Sequence, residues 1–231
     1  MKTDQINWEE VHKSLNENGF FVLSQVLNPE ECQQLIATYD EPGAFRKTVV
    51  MERFGYGVGE YKYFNYPLPD LIQTLRTTLY ESIYQVANQW SEALKLGVDY
   101  PSNHADFIEI CNYNGQNRAT PLLLKYGEGG LNMLHQDLYG DVYFPLQAVA
   151  FLSEPGEDYT GGEFVLTEQI PRSQSKATVL TPKRGDILLF TTQFRPEKSK
   201  RGYYRVTMRH GVSKVHSGNR YTMGIIFHDA K

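Results

Sequence analysis

The sequence predicts an α+β fold, with helices in its first half and a jelly roll of short antiparallel strands in its second half. Apolar residues of the first half recur at intervals of three and four, as in helices that bury one face. After Asn114-Gly115, short β-rich runs alternate with turn signals, which is typical of an antiparallel sandwich or barrel. We therefore predict a single domain over residues 1–231, with residues 1–113 mainly as helical support and residues 114–231 as the jelly-roll core.

Three segments of the first half have helical spacing. Residues 7–17 follow the cap candidate Asn7 and end before Gly19. A second helix begins at 28–31, where Asn-Pro-Glu-Glu supplies a cap, a first-turn proline and two acids that complement the helix dipole. From residue 70 to 96, apolar residues step by three and four throughout, which predicts a long scaffold helix.

Two other stretches of the first half predict extended structure or loops. The apolar run from Gly19 to Leu23 predicts a strand. Residues 54–64 mix glycines with aromatic residues and follow no single period, which favours a loop or an edge hairpin. Their aromatic side chains are expected in the core, with a ligand-binding wall as the alternative.

The second half contains seven β-rich runs separated by turn residues. They are residues 121–126, 146–152, 162–166, 177–180, 186–192, 206–215 and 220–228.

The composition is that of an ordinary globular protein. Hydrophobic residues make up 41% of the chain and charged residues 22%, which excludes disordered and fibrous classes. The two cysteines, Cys32 and Cys111, are expected to be buried free thiols. No apolar run reaches the roughly 18 to 20 residues of a membrane helix, and neither end of the sequence has a secretion or targeting signal. We therefore expect a reducing, cytoplasmic setting and no membrane partner.

Positive charge is concentrated in residues 171–220. This segment has twelve lysines and arginines against Asp186 and Glu197, which gives it a net charge of +10. The whole chain has a net charge of −4, so the remaining residues carry −14. Such a segment is either a solvated basic face or the surroundings of an anionic ligand, and the sequence leaves both interpretations open.

One group of residues has the spacing of a metal site. In His135-Gln136-Asp137, residues two apart on an extended chain project to the same side and can share one ion. This pattern arises by chance easily, so a second histidine is needed to complete a two-histidine, one-carboxylate facial triad for Fe(II). His210 and His216 compete for that role.

Arg220 favours His210 as the second histidine. The segment from His210 to Arg220 predicts strand, turn and strand, with a Ser-Gly-Asn loop that pairs His216 with Arg220. His210, Arg220 and Thr222 then share one face, and at roughly 3.3 Å per residue a small dicarboxylic acid fits between a metal at His210 and the guanidinium. His216 is too near Arg220 for that. The alternative role for Arg220 is an ordinary buried ion pair.

Several motifs in this order resemble the 2-oxoglutarate/Fe(II) oxygenase superfamily, close to its prolyl-4-hydroxylase-like bacterial members. The stretch 124–137 is similar to the lead-in and HxD of that family, and 160–164 (Thr-Gly-Gly-Glu-Phe) to its GGEF turn. Residues 183–190 resemble its GD strand, and Arg220-Tyr221-Thr222 its R-x-S pair. The resemblance covers residues 120–228 well and implies a double-stranded β-helix.

The resemblance also implies the chemistry and the residues that carry it. It places Fe(II) on His135, Asp137 and His210 and the cosubstrate 2-oxoglutarate on Arg220, with Tyr126 and Thr222 as hydrogen-bonding helpers. The implied reaction is a hydroxylation that consumes O₂ and 2-oxoglutarate and yields succinate and CO₂. The same ligands accept Mn(II) or Ni(II) as well as Fe(II), so the sequence does not determine which metal is bound. The sequence also does not give the oligomeric state.

The substrate stays open between several classes. The resemblance favours a protein residue such as proline, or a small molecule, with the aromatic residues Tyr139, Tyr143 and Phe144 as a binding wall or as core. The insert 193–205 interleaves basic and aromatic residues and predicts a recognition loop, with a nucleic-acid contact as the alternative.

Oxidative dealkylation of damaged nucleic acid is the second choice. The basic segment supports it, whereas the acidic total charge and Ile226, which stands where AlkB-type dealkylases have a second arginine, weaken it. A hypothesis of another class is a non-catalytic jelly-roll binding module.

Overall fold

Two antiparallel sheets face each other in the computed structural model, which describes residues 5–138 and 140–231. The helices are α1 (Trp8–Asn18), α2 (Pro29–Ala37), α3 (Asp70–Ala93) and α4 (His104–Tyr113), with single 3₁₀ turns at Thr38–Asp40 and Met51–Phe54. The strands are β1 (Phe20–Leu23), β2 (Phe45–Val50), β3 (Gly57–Val58), β4 (Glu60–Phe64), β5 (Leu122–Tyr126), β6 (Leu131–His135), β7 (Leu146–Phe151), β8 (Tyr159–Gly161), β9 (Phe164–Gln169), β10 (Lys176–Leu180), β11 (Ile187–Thr191), β12 (Phe194–Ser199), β13 (Gly202–Val212), β14 (Val215–Gly218) and β15 (Arg220–Ile225).

The larger of the two sheets, the major sheet, has the strand order β1-β11-β7-β15-β5-β4-β2. The smaller one, the minor sheet, has the order β10-β9-β13-β6-β3, and β12 pairs with β13. A separate two-stranded ladder joins β14 to β8. The α+β jelly roll predicted from the sequence is therefore confirmed.

Side chains of the major sheet alternate between the helices on its outer face and the barrel interior on its inner face. On β15, Met223 and Ile225 belong to the large core that packs against α1 to α4, whereas Arg220 and Thr222 lie on the opposite face. On β7 the same alternation sends Gln147 to the interior side, with Val149 and Phe151 packing against the minor sheet. The major sheet thus carries polar groups inward without exposing its apolar outer face.

Local signals explain the helix boundaries. Asn7 accepts a hydrogen bond from Glu10 N at 3.4 Å, and Gly19 ends α1 in the left-handed conformation at φ 78°. At α2, Asn28 and Glu31 form a capping box and Pro29 occupies the first turn. All three predicted helices are confirmed, and Cys32 and Cys111 are buried free thiols as expected. No helix of the described residues is long and apolar enough to cross a membrane.

The first half supplies strands to both sheets besides its helices. Strands β1, β2 and β4 join the major sheet and β3 joins the minor sheet, while α4 and β2 were not predicted. Residues 60–64 form a strand second from the sheet edge, so the loop or edge hairpin expected there was wrong. The sequence pattern failed because aromatic residues on both faces of β4 pack and obscure the alternation.

The predicted hairpin between His216 and Arg220 was also wrong. Strand β14 pairs with β8, and β13 and β15 lie in opposite sheets. At Gly218 the backbone has φ 79°, and an added Cβ would lie 2.0 Å from Asp158 O, so this residue lets β14 approach β8 closely. The chain therefore crosses from the minor to the major sheet between His210 and Arg220.

Candidate metal centre

Two histidines and an aspartate converge between β6 and β13. His135 is the last residue of β6 and pairs directly with His210 of β13, and Asp137 follows two residues later. Their ligand atoms all lie within 4.8 Å of one another. The Asp137 carboxylate is 3.5 Å from His135 Nε2 and 3.3 Å from His210 Nε2. The structure therefore brings together the three predicted ligands.

The electrostatics of this cluster suit a cation. His135 donates its Nδ1 proton to Met133 O at 2.7 Å, which leaves the lone pair on Nε2, the atom that faces Asp137. Burial raises the pKa of the Asp137 carboxyl, but His210 and His135 outweigh burial and hold that pKa well below its ordinary value. Burial lowers the pKa of His210, and Asp137 only partly offsets this. A bound metal ion would supply the positive charge that otherwise comes from protonated imidazole.

Gln147 fixes the carboxylate of Asp137. Its Nε2 donates to Asp137 Oδ2 at 2.6 Å from the neighbouring sheet. Sequence reasoning missed this residue, although a signal existed, because Gln147 is the one polar residue in the fully buried run from Leu146 to Phe151. A buried polar side chain in a strand of apolar residues needs a partner, and here the partner is a predicted metal ligand.

Arg220 lies in the interior with its guanidinium largely unpaired. Only 1% of its surface is exposed, and its Nε and Nη2 have no hydrogen-bond partner among the described residues. Nη1 donates to Thr222 Oγ1 at 3.4 Å, and the guanidinium carbon lies 5.5 Å from the Tyr126 ring and 5.9 Å from the Tyr159 ring. Burial lowers the pKa of Arg220. A buried cation without an acidic partner is expensive, so the surroundings of Arg220 suit an anionic ligand.

Glycine makes room for this cation. Gly162 has φ 63°, and an added Cβ would lie 2.9 Å from Arg220 Cδ. The second glycine of the GGEF-like turn predicted from the sequence therefore packs directly on the arginine.

Tyr126 lies between the two parts of the site. It is paired with Arg220 across β5 and β15, and its hydroxyl accepts a hydrogen bond from Asn132 Nδ2 at 3.4 Å. Burial raises the pKa of Tyr126 to about 12, the Arg220 charge opposes this and Asp137 adds to it. The phenol is therefore within electrostatic reach of both the cation and the metal-ligand carboxylate. His216, by contrast, is exposed on β14 and packs against Gly161, away from the cluster.

The residues fit both implied groups. Two imidazole nitrogens and a carboxylate are the donor set of a non-haem Fe(II) facial triad, which leaves coordination positions open. The unpaired Nε and Nη2 of Arg220 offer the two parallel donors that a carboxylate accepts. Although His210 and Arg220 do not share one face of a hairpin, their strands face each other across the interior, with Thr222 and Tyr126 beside the arginine.

Exposed aromatic and apolar side chains lie on and beside the strand that carries His135. The rings of Phe54 and Tyr56 stack at 5.5 Å and are 57% and 49% exposed. This pair, which we call the aromatic rim, is fixed to β6 because Met133 N donates to Tyr56 O at 2.9 Å. The side chains of Met133, Leu134 and Leu138 are exposed as well. An exposed apolar patch of this kind marks a binding surface.

The aromatic wall expected after the HxD motif is only partly present. Phe144 is fully buried and packs against Tyr80 and Phe227, so it belongs to the core. Tyr143 is half-buried, and its hydroxyl accepts from Gln193 Nε2 at 3.0 Å. Tyr139 lies outside the described residues.

The predicted recognition insert 193–205 forms most of the β12–β13 hairpin. Its first arginine, Arg195, is buried and pairs with Glu168 at 3.3 Å and with Glu197. Arg195 therefore stabilises the hairpin and cannot contact a ligand from solvent.

Comparison with known proteins gives one family and several relatives. Residues 59–230 match the model of the Oxygenase-NA family, described as an oxygenase catalysing oxidative methylation of damaged DNA. Uncharacterized proteins of two Mycobacterium tuberculosis strains are 46% identical over 164 residues, which covers 71% of this chain and 70% of theirs.

Solved structures share the fold at low identity. A Pseudomonas putida prolyl-4-hydroxylase has a TM-score of 0.56 at 14% identity, with 97% of this chain and 99% of that chain covered. A prolyl hydroxylase from Trichoplax adhaerens, in complex with a hypoxia inducible factor peptide fragment, has a TM-score of 0.54 at 16% identity, with 98% and 93% covered. A Burkholderia pseudomallei protein of the 2OG-Fe(II) oxygenase family has a TM-score of 0.53 at 12% identity, with 100% and 95% covered.

Proposed function

Because the chain belongs to the Oxygenase-NA family and is a 2-oxoglutarate/Fe(II) oxygenase, we propose that His135, Asp137 and His210 are its iron ligands. Arg220 anchors the cosubstrate in the same proposal. The observation that carries it is the pairing of a convergent donor set with a buried guanidinium whose Nε and Nη2 have no hydrogen-bond partner in the described part of the chain. A structural arginine would have its own acid, and a non-catalytic jelly-roll module would have no need for either group.

The protein is an enzyme that uses Fe(II), 2-oxoglutarate and O₂ for hydroxylation. When bound, the iron couples the oxidative decarboxylation of 2-oxoglutarate to succinate and CO₂ with the insertion of oxygen into a substrate C–H bond. The side chains of the protein orient the metal ligands and the cosubstrate. Gln147 holds the Asp137 carboxylate, Met133 O holds the His135 ring, and Arg220 with Thr222 holds the distal carboxylate of the cosubstrate in the interior.

The substrate we propose is an alkylated base in nucleic acid. The family description names damaged DNA, and the aromatic rim beside the metal cluster offers flat side chains to a base that has left its stack. Hydroxylation of an N-methyl group gives an N-hydroxymethyl group, which splits into the free base nitrogen and formaldehyde. The family description and the aromatic rim together favour a nucleic-acid substrate over the peptide substrate that the sequence alone favoured.

The ligand assignment is tested by a matched pair of histidine variants. His210→Gln removes a proposed ligand, and His216→Gln changes an exposed histidine six residues later. Under anaerobic conditions, Fe(II) with 2-oxoglutarate should give a visible charge-transfer band in the wild type and in His216→Gln. We expect His210→Gln to lose the band and to lose succinate formation by about 100-fold or more. The proposal fails if both variants keep the band.

The substrate assignment is tested by substrate-stimulated turnover. We expect an oligonucleotide with one N-methylated base to stimulate succinate release and to yield one formaldehyde per succinate. An unmethylated oligonucleotide and a proline-rich peptide are the comparisons. Stimulation by the peptide alone would replace the nucleic-acid assignment with the peptide class that the Trichoplax adhaerens protein exemplifies.

A further inference from the structure

The β12–β13 hairpin carries a dense set of exposed cations. Residues 198–209, which we call the basic arm, contain no acidic residue, although the chain as a whole has a net charge of −4. Five cationic side chains of the arm are exposed. They are Lys198, Lys200, Arg201, Arg205 and Arg209. A local charge of +5 on an acidic protein indicates an anionic partner rather than general solubility.

The acids nearest to the arm do not neutralise it. Glu197 and Glu168 both pair with Arg195, whose side chain is buried beneath the hairpin. One inward arginine thus engages both carboxylates, and the surface cations of the arm keep their charge. Arg205 also stacks over the Phe194 ring at 4.7 Å, which holds its guanidinium against the sheet.

The arm extends along β13 well beyond the residue that pairs with the metal cluster. His135, the end of β6, pairs with His210, whereas β13 begins eight residues earlier at Gly202. Its pairing with β9 stops at Thr207, so residues 202–206 pair only with β12. At about 3.3 Å per residue, the arm reaches roughly 26 Å beyond His210. It is therefore long enough to follow several nucleotides.

The root of the arm is fixed to the HxD motif. The side chain of Gln136 donates to Gln193 O at 2.7 Å and to Met208 O at 2.9 Å, the two backbone carbonyls where the hairpin begins and ends. Asp137 N donates to Thr192 O at 3.3 Å. The residue between two metal ligands thus ties the arm to the centre, so a strand held by the arm has a defined position relative to the iron.

We propose that the basic arm binds the phosphates of nucleic acid beside the target base. This inference rests on the proposed nucleic-acid substrate and adds the surface that holds it. Phosphate contacts supply affinity and position without reading sequence, which suits an enzyme that must accept a damaged base in any context. Exposed Tyr203 at the tip adds a ring on which a flanking base can stack.

The test is the salt dependence of oligonucleotide binding. The triple variant Lys198→Gln, Lys200→Gln, Arg201→Gln removes three arm charges. A control triple variant, Lys13→Gln, Lys95→Gln, Lys183→Gln, removes three exposed charges elsewhere and changes the net charge equally. Binding of a fluorescent single-stranded oligonucleotide to the metal-loaded protein is measured by anisotropy at several salt concentrations. We expect the slope of log Kd against log salt to fall by about 2 in the arm variant and to stay unchanged in the control.

The outcomes separate this inference from the substrate proposal. Equal slopes in the arm variant and the wild type overturn the arm, even if methylated oligonucleotides still stimulate succinate release. A reduced slope supports the arm, whether or not the methylated oligonucleotide proves to be the substrate. Binding of anionic lipid vesicles that depends equally on the three arm charges would overturn the assignment to nucleic acid. Arg205→Gln, which keeps the tip intact, should lower the slope by about 0.7, and an unchanged slope there argues against the arm.

Discussion

Two arginines are buried to the same degree but surrounded in opposite ways. Arg76 and Arg220 each expose 1% of their surface, one on α3 behind the major sheet and the other on its inner face. Burial alone therefore does not tell a structural arginine from a ligand-binding one. What differs is the use of their nitrogen atoms.

Every nitrogen of the Arg76 guanidinium has a partner within the protein. Nε donates to Ile226 O at 2.8 Å and Nη1 to the Tyr66 hydroxyl at 2.9 Å. Nη2 contacts Asp229 at 2.7 Å and Thr120 at 3.3 Å. Such a network fixes the C-terminal segment against α3 and leaves no guanidinium nitrogen without a partner.

Arg220 has aromatic rings where Arg76 has acceptors. Phe151, Tyr126 and Tyr159 surround its guanidinium carbon at 5.4 to 5.9 Å, and its hydrogen bond to Thr222 is long at 3.4 Å. Rings stabilise a cation partially and leave its N–H groups unpaired. An unpaired buried cation lowers the folding stability, and a bound carboxylate would pair with it and offset that cost. The unpaired N–H groups of Arg220 therefore indicate a ligand-binding role.

The largest effect is expected at the structural arginine. Asp229→Asn leaves the Arg76 cation buried without its counter-charge, which costs about 3 to 5 kcal/mol of unfolding free energy. Urea denaturation of the metal-free protein measures it. Arg220→Met is the matched control, because replacing an unpaired buried cation by an apolar side chain is neutral or stabilising. A destabilisation by Arg220→Met equal to that of Asp229→Asn would break the distinction between the two arginines.

The next effect is expected at the functional arginine. Arg220→Met should weaken 2-oxoglutarate binding to the anaerobic Fe(II) protein by about 2 kcal/mol or more, roughly 30-fold. Titration of the charge-transfer band measures the Kd. Arg220→Lys keeps the charge but loses the two parallel donors, so its Kd should fall between those of the wild type and Arg220→Met. If the Kd of Arg220→Met equals that of the wild type, another group holds the cosubstrate.

Sequence patterns predicted these regions to different extents. Helices α1 to α3 were predictable because their signals are local, as in the Asn28 and Glu31 capping box. His135 and Asp137 were predictable for the same reason, since residues two apart on a strand share a side. His210 needed an argument about Arg220, and that argument chose the histidine that lies with His135 and Asp137, although the hairpin on which it relied is absent.

The remainder depends on long-range pairing that no local pattern encodes. Gln147 meets Asp137 only because β7 and the end of β6 face each other across the interior. Arg76 and Asp229 are 153 residues apart, and neither has a local signal for its partner. Arg195 looked like its basic neighbours in sequence, but the hairpin turns it inward onto Glu168. Local spacing thus predicts residues within one strand, whereas tertiary pairing decides what opposes them.

The smallest effect concerns the pH dependence of the Arg76 region. Burial, with the Arg76 charge second, lowers the pKa of His104 to about 4 and that of His228 to about 3. Both rings make backbone hydrogen bonds as neutral groups, His104 Nε2 to Phe227 O and His228 Nδ1 from Phe144 N.

Unfolded histidine binds protons near pH 6.5, so the stability that these neutral rings contribute is complete above that pH and is lost as the pH falls towards 4. Each ring contributes a loss of about 1.4 kcal/mol per pH unit. We expect His104→Gln, whose amide can still donate to Phe227 O, to lose stability less steeply than the wild type between pH 6 and 4.5. Urea denaturation of both metal-free proteins isolates His104, because the ligand histidines titrate equally in each. Parallel stability curves would mean that the pKa of His104 is not lowered in the folded protein. Burial and the Arg76 charge would then have no effect on this ring.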